Sequence, residues 1–154
     1  MERLRGVMKG ALAGAVATGP MTGVMVLIHR WLPEERGERL APEKVVEDVA
    51  ESVGAEEVVE DVGKERVVWI SHYGFGAAMG AIYGAVMTQP RPVAERVASG
   101  VVFGLGVWAA NYVVAFPAAD FKASAVKEPG SRNAQMIVSH VVWGAVVGWL
   151  CRGR

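Results

Sequence analysis

The sequence predicts an all-α fold: an integral membrane four-helix bundle made of two repeated transmembrane hairpins, with short amphipathic helices in the first outer loop. Hydrophobic residues make up 52% of the 154 residues, and the mean hydropathy is +0.27. Four stretches of 19 to 23 residues contain no Asp, Glu, Lys or Arg. A helix needs about 20 apolar residues to cross a hydrocarbon core of about 30 Å, so each stretch is long enough to span a bilayer.

The uncharged stretches predict spans at about 7–31, 67–88, 95–117 and 133–151 within a single transmembrane domain, 1–154. An amphipathic helix of a soluble protein shows a charged or polar face, which these stretches lack. A very apolar soluble bundle is the alternative. Four segments are too few to close a transmembrane barrel, so the spans are expected to be helices.

The positive charges on short flanks predict the orientation, because cytoplasmic flanks hold the excess of Lys and Arg. One side has the N-terminus, the turn between the second and third spans, and the C-terminal tail, with Arg3, Arg5, Lys9, Arg91, Arg96, Arg152 and Arg154. The short loop on the other side has Lys122, Lys127 and Arg132. We therefore expect both termini to be cytoplasmic.

The second and fourth spans share a sequence with identical spacing. In one copy the pair Ser71-His72 precedes Gly76, Ala77 and Gly80, and in the other Ser139-His140 precedes Gly144, Ala145 and Gly148. The first and third spans are related more faintly, with Gly10 and Gly14 matching Gly100 and Gly104. The duplication predicts two hairpins of the same topology, related by an axis along the membrane normal.

Small residues recur every four positions along the spans. A row of glycines lets two helix backbones approach closely, and close packing is what associates helices in lipid. The residues predicted to pack in this way are Gly10, Gly14, Gly76, Gly80, Gly84, Gly100, Gly104, Gly144 and Gly148.

The outer loop at about 33–66 is acidic and contains a smaller duplication. Residues 45–49, Val-Val-Glu-Asp-Val, recur at 58–62. In the first copy four valines fall on one helical face, with Pro42 in the first turn and Gly54 as a stop; the second copy ends at Gly63. We expect two short amphipathic helices that cover the outer mouth of the bundle or dock a partner.

Each predicted span has a nitrogen-bearing side chain in the same leaflet. His72 lies five residues into its span, roughly 7–8 Å deep at 1.5 Å per residue, and His140 lies at a similar depth. Asn111 lies at a comparable depth in the third span, and His29 lies near the outer end of the first. Ionisable groups inside a membrane are candidates for function, although many only join helices.

Three interpretations of this polar set stay open. His72 and His140 hydrogen-bond across the pseudo-two-fold axis, with Ser71, Ser139 and Asn111 satisfying the remaining groups. Alternatively, the two imidazoles are axial ligands of a haem b, with the small residues leaving room for the macrocycle. In the third interpretation the cluster binds a metal ion or a small solute, or relays protons.

Several classes of function are not supported by the sequence. The 16 basic and 16 acidic residues balance, so no basic excess points to nucleic acid. A single Cys excludes a disulfide scaffold and a Cys-based zinc ribbon. The sequence has no His-Glu-x-x-His, Gly-x-Ser-x-Gly or Gly-Lys-Ser/Thr phosphate loop, so we predict no catalytic residue and favour a protein that is not an enzyme.

The leading functional prediction is a structural or accessory subunit in the lipid bilayer that packs through its glycine faces with a membrane-protein partner or with itself. This prediction includes no cofactor and no metal. The first alternative is an electron-transfer subunit that binds haem b through His72 and His140. The second is transport of a small solute, ions or protons by an oligomer.

The segment Ala17-Thr18-Gly19-Pro20-Met21, the loop segment Leu40-Ala41-Pro42-Glu43 and the two Ser-His hairpins resemble small uncharacterised bacterial inner-membrane proteins of the YagU-like family. The resemblance covers most of the chain. It implies four spans, a long first outer loop and a location in the bacterial cytoplasmic membrane, and it implies no established reaction.

Overall fold

A computed structural model describes residues 2–32, 38–87 and 89–151. Within those ranges the fold is all-α, without strands. Thr88, at the end of a predicted span, and the tail residues Arg152 and Arg154 lie outside the described ranges. The elements in chain order are α1 (Glu2–Trp31), α2 (Ala41–Val53), α3 (Glu56–Val62), α4 (Lys64–Val86), α5 (Val93–Trp108), a π-helix (Ala109–Ala115), α6 (Phe116–Ala118) and α7 (Gly130–Leu150).

Helices α1 and α4 pack as an antiparallel pair whose backbones touch at glycine. A Cβ atom built on Gly10 would lie 2.1 Å from the carbonyl oxygen of Gly80, and one on Gly14 would lie 2.1 Å from that of Gly76. A Cβ on Gly84 would lie 2.2 Å from the carbonyl oxygen of Gly6. No side chain fits at these positions, so the helix separation depends on glycine.

Helices α5 and α7 form a second antiparallel pair of the same kind. A Cβ on Gly100 would lie 2.1 Å from the carbonyl oxygen of Gly144, and one on Gly148 the same distance from that of Arg96. A Cβ on Gly104 would lie 2.4 Å from the carbonyl oxygen of His140.

The glycine contacts pair equivalent positions of α1 and α5 differently from the duplication that the sequence predicts. Gly14 meets Gly76 as Gly100 meets Gly144, so Gly14, and not Gly10, occupies the place equivalent to Gly100. The shift is four residues, about one helical turn. Because glycines recur every four residues in α1, the sequence offers both registers and does not distinguish them.

The two pairs are joined where α1 contacts α7. The indole Nε1 of Trp143 donates to the carbonyl oxygen of Gly14 at 3.1 Å, and the side-chain amide of Gln135 donates to that of Met25 at 2.6 Å. The four long helices therefore alternate in direction. We call the end at which α1 begins and α7 ends the terminal end, and the end with α2 and α3 the cap end.

At the terminal end, Arg96 is buried against the last turn of α7. Its guanidinium donates to the carbonyl oxygens of Trp149 and Cys151 at 3.2 and 3.0 Å. The last carbonyls of a helix have no intrahelical donor, and a cation is stabilised at the negative end of a helix dipole. The hydroxyl of Tyr83 donates to the carbonyl oxygen of Arg96 at 3.1 Å, so α4, α5 and α7 are fastened together here.

The surface of the long helices is apolar while several polar residues are inside. Helices Arg3–Trp31 and Val93–Ala118 are the two in the described chain that are long and apolar enough to cross a membrane. The exposed apolar residues include Leu12, Val16, Leu27, Ile70, Ile82, Val102, Val113 and Val138. The buried polar residues include Thr18, Thr22, Arg96, Arg132, Gln135, Ser139 and His140.

We expect Gly80→Ala to lower the free energy of unfolding by about 1–3 kcal/mol, because its methyl group would lie 2.2 Å from the Gly10 carbonyl oxygen and the backbones must separate. Gly74→Ala, in the same helix, is the control, since nothing lies within 4 Å of its added Cβ. The control should stabilise by up to about 1 kcal/mol through helix propensity. Thermal unfolding followed by circular dichroism measures both, and equal effects would contradict the contact.

Candidate functional site

A chamber of about 460 Å³ lies between the α1–α4 pair and the α5–α7 pair. Helices α4 and α5 make few contacts with each other, because each packs on a different partner. The gap between them widens into the chamber, and α2 and α3 cover it at the cap end. Most of the lining is apolar, with Met21, Met79, Val107, Phe116 and Met136 among its residues.

Helix α2 supplies the roof of the chamber through its apolar face. Pro42 lies in its first turn, where a missing N–H is tolerated, and the helix ends at Gly54 with φ of 65°. The four valines predicted to share one face all line the chamber: Val45, Val46, Val49 and Val53.

Polar contacts fix the roof to the loop that precedes α7. The buried carboxylate of Asp48 accepts a hydrogen bond of 2.9 Å from the backbone N–H of Ala123. Lys44 pairs with the buried carboxylate of Glu128 at 2.9 Å. On the surface Lys122 pairs with Glu51 at 2.7 Å, and this ammonium group lowers the pKa of the Glu51 carboxyl.

Arg132, at the start of α7, ties the same region together from inside. Its side chain is 2% exposed, its Nε lies 3.0 Å from a carboxylate oxygen of Glu128, and its Nη1 donates to the carbonyl oxygen of Arg39 at 2.7 Å. One buried guanidinium thus connects α7, the preceding loop and the segment before α2. From the sequence alone, Arg132 was predicted only as a positive charge of the short outer loop.

The π-helix at the end of α5 positions this loop. In a π-helix each N–H donates to the carbonyl five residues earlier, as Phe116 does to Asn111. Pro117 follows and has no N–H to donate to Tyr112. The backbone N–H of Ala125 donates to the Tyr112 carbonyl instead, at 2.8 Å, so the proline creates the attachment point for the loop.

His72 lines the chamber from α4 and is held by α1. Its Nε2 lies 3.1 Å from the hydroxyl oxygen of Thr22. That hydroxyl donates its single proton to the carbonyl oxygen of Thr18 at 2.7 Å. His72 is therefore the donor through Nε2, and in the neutral imidazole Nδ1 is the acceptor.

His140 lines the chamber from α7 and is 6% exposed. Its Nδ1 lies 2.8 Å from the carbonyl oxygen of Met136, and a carbonyl oxygen only accepts, so Nδ1 has the proton. The lone pair of Nε2 is then available, and no described residue donates to it. The ring stands edge-on to Tyr112, with 6.0 Å between ring centroids.

The other residues of the predicted polar cluster are placed differently from the expectation. Asn111 and Ser71 line the chamber, but each donates to a carbonyl of its own helix, at 2.7 and 3.1 Å. Ser139 is buried and donates to the carbonyl of Gln135, also in its own helix. His29 does not line the chamber. The imidazoles bond to Thr22 and Met136, and not to each other as the first interpretation predicts.

A bis-histidine haem requires two histidines that reach one cavity and small residues that leave room for the macrocycle. The structure meets the first requirement and not the second. Both histidines reach one chamber, but the glycines beside them face helix backbones instead of open space. The Nε2 of His72 would also have to leave Thr22 before it became a ligand. Among the described residues, no group of three or more His, Cys, Asp or Glu could hold a metal ion. The arrangement does not fit a bis-histidine haem.

Thr18 and Thr22 in α1 are site residues that the sequence analysis missed. Thr22 fixes the ring of His72, and Thr18 lines the chamber while its hydroxyl donates to the carbonyl of Gly14 at 2.9 Å. Both fall on the face of α1 that continues the glycine row at four-residue spacing. That spacing was the signal that could have identified them.

We expect the two histidines to be opposite neutral tautomers, with the proton on Nε2 in His72 and on Nδ1 in His140. Their hydrogen-bond partners fix the assignment, because Thr22 has no proton left to donate and the Met136 carbonyl has none. Nitrogen-15 NMR of labelled protein in lipid nanodiscs distinguishes the tautomers. Thr22→Val should remove the preference of His72 for the tautomer with the proton on Nε2, and the tautomer of His140 should stay the same. The same tautomer at both sites would contradict the assigned contacts.

Comparison with known proteins gives a family and no function. No curated protein and no solved structure matches the chain. The finer YagU-like resemblance stays a prediction. A family model described as "Protein of unknown function (DUF1440)" matches residues 31–149, which include α2 to α7 almost completely. The chain belongs to the DUF1440 family.

Proposed function

We propose that the chain is an integral membrane protein whose four long helices cross the bilayer. The distribution of polarity supports this. Apolar side chains of all four helices are exposed around the middle of the structure, and the polar ones lie inside, hydrogen-bonded to backbone carbonyls. An exterior of this kind is costly in water, whereas in lipid the interior polar groups need the partners they have.

We further propose that both termini face the cytoplasm of a bacterial inner membrane. Arg3, Arg5 and Lys9 at the terminal end support this through the positive-inside rule. At the cap end the basic residues of the loop are neutralised by acidic partners, as in the pairs Lys122–Glu51 and Lys127–Asp120.

Within the membrane, the function that the geometry supports best is the binding of a small, largely apolar molecule in the chamber, without catalysis. The observation on which this depends is the chamber itself, about 460 Å³ of space with His140 among its lining residues. Sites for small molecules are concave, mostly apolar and equipped with few polar groups. The transport alternative would use the same chamber as its solute site.

An accessory role with a partner, or in a homo-oligomer, is a separate proposal with a different surface from the one the sequence suggested. The predicted packing glycines contact other helices of this chain, as Gly10 and Gly100 illustrate. A partner would therefore pack on the apolar outer faces, where Gly23 and Gly106 have open space beside them.

We expect saturable binding of trifluoromethylbenzene, an apolar probe, to the full chain in lipid nanodiscs, measured by fluorine NMR against protein-free nanodiscs. Val107→Phe should weaken it, because Val107 is buried and lines the chamber. Val102→Phe is the matched control, since Val102 lies on the same helix and is 70% exposed. Binding that never exceeds partition into empty nanodiscs would contradict the proposal.

A further inference from the structure

Two imidazole nitrogens of the chamber lining, Nδ1 of His72 and Nε2 of His140, are acceptors to which no described residue donates. Among its lining residues, the hydroxyls of Thr18 and Ser71 and one N–H of Asn111 already donate to carbonyls of their own helices. The Nε2 of His140 accepts from no described residue, and His140 is only 6% exposed. His140 is the more buried of the two histidines, and a ligand that donates to its Nε2 would give this acceptor a partner away from water.

From this we propose that the ligand is an uncharged, lipid-soluble molecule with a hydroxyl group that donates a hydrogen bond to Nε2 of His140. This inference rests on the proposed binding function and adds the chemical class of the ligand. The assignment of Nε2 as the acceptor follows from geometry, because Nδ1 of the same ring lies 2.8 Å from the Met136 carbonyl oxygen.

The absence of charge in the lining makes an ionic ligand unfavourable. None of the described residues that line the chamber is Asp, Glu, Lys or Arg. The charged residues of the cap, such as Lys44 and Glu128, pair with each other outside the lining. An ion transferred to such a site would lose its hydration without gaining a counter-charge.

The sparse packing of α4 against α5 gives the ligand a path from the lipid. Phe75 and Ser71 of α4 line the chamber and are both exposed, so the chamber is open to its surroundings along this helix. The surface around it includes Ile70 and Val114, both strongly exposed. An opening with apolar borders is suited to a molecule dissolved in the hydrocarbon of the cap-end leaflet.

The test compares 4-(trifluoromethyl)phenol with its methyl ether, 4-(trifluoromethyl)anisole, on the full chain in lipid nanodiscs. The two probes share the trifluoromethylphenyl body, and the ether has a methyl group in place of the hydroxyl proton, so only the phenol donates a hydrogen bond. Fluorine NMR gives each dissociation constant after subtraction of partition into protein-free nanodiscs. We expect the phenol to bind about five- to tenfold more tightly, the effect of roughly one hydrogen bond. Decanol and its methyl ether are then used as competitors. Stronger competition by decanol would show that an aliphatic hydroxyl donates to the site as an aromatic one does.

Two histidine variants locate the effect. His140→Leu should make the dissociation constants of the phenol and the ether about equal. His29→Leu, at the histidine outside the chamber, should leave their ratio unchanged. Equal affinities of phenol and ether for the native chain would overturn the hydroxyl assignment while the chamber still binds apolar probes. A preference that survives in His140→Leu would overturn the role of this residue. If no probe binds saturably, including trifluoromethylbenzene, the proposed binding function fails as well.

Discussion

Direct contact between helix backbones at glycine is the constraint on which the rest of the structure depends. In each antiparallel pair a Cβ atom at the contact would lie within about 2.4 Å of a backbone oxygen of the neighbouring helix, as at Gly14 and Gly104. Close approach within the pairs fixes α4 on α1 and α5 on α7, and the pairs meet through α1 and α7. Helices α4 and α5 are left without extensive mutual packing. The chamber is the consequence of this arrangement, and α2 lies over it because its valine face finds an apolar surface there.

Several buried polar side chains of the interior form the same kind of hydrogen bond. Thr22, Gln135, Ser139 and His140 each donate to a helix carbonyl, so a carbonyl oxygen already engaged in a helix accepts a second hydrogen bond. Carbonyl oxygens have two lone pairs, which makes this possible without breaking the helix. Among the described residues that line the chamber, Nδ1 of His72 and Nε2 of His140 are acceptors to which no described residue donates. An interior satisfied in this manner, inside an apolar exterior, is what a protein needs when lipid replaces water.

The helical class and the two short helices of the acidic loop follow from the sequence, because uncharged length, valine periodicity and the positions of Pro42 and Gly54 are local signals. The pair of histidines in one site was also predictable, since their spacing to the glycines is the same in both copies. The hydrogen-bond partners of the histidines were not, because they depend on the register between helices, which a four-residue glycine repeat leaves ambiguous. Pro117 leaves the Tyr112 carbonyl without a π-helical donor, but the choice of Ala125 as its partner depends on tertiary packing that no local pattern specifies.

The central claim, that four helices cross a bilayer, is tested most directly by cysteine labelling in a Cys151→Ser background. Ala119→Cys, exposed in the loop at the cap end, and Gln89→Cys, exposed in the turn at the terminal end, are treated with a membrane-impermeant maleimide. The account predicts that position 119 is labelled in intact cells, that position 89 is labelled only after permeabilisation, and that the protein sediments with membranes. Labelling of both positions before permeabilisation, or of neither, or recovery of the protein in the detergent-free supernatant, would contradict it.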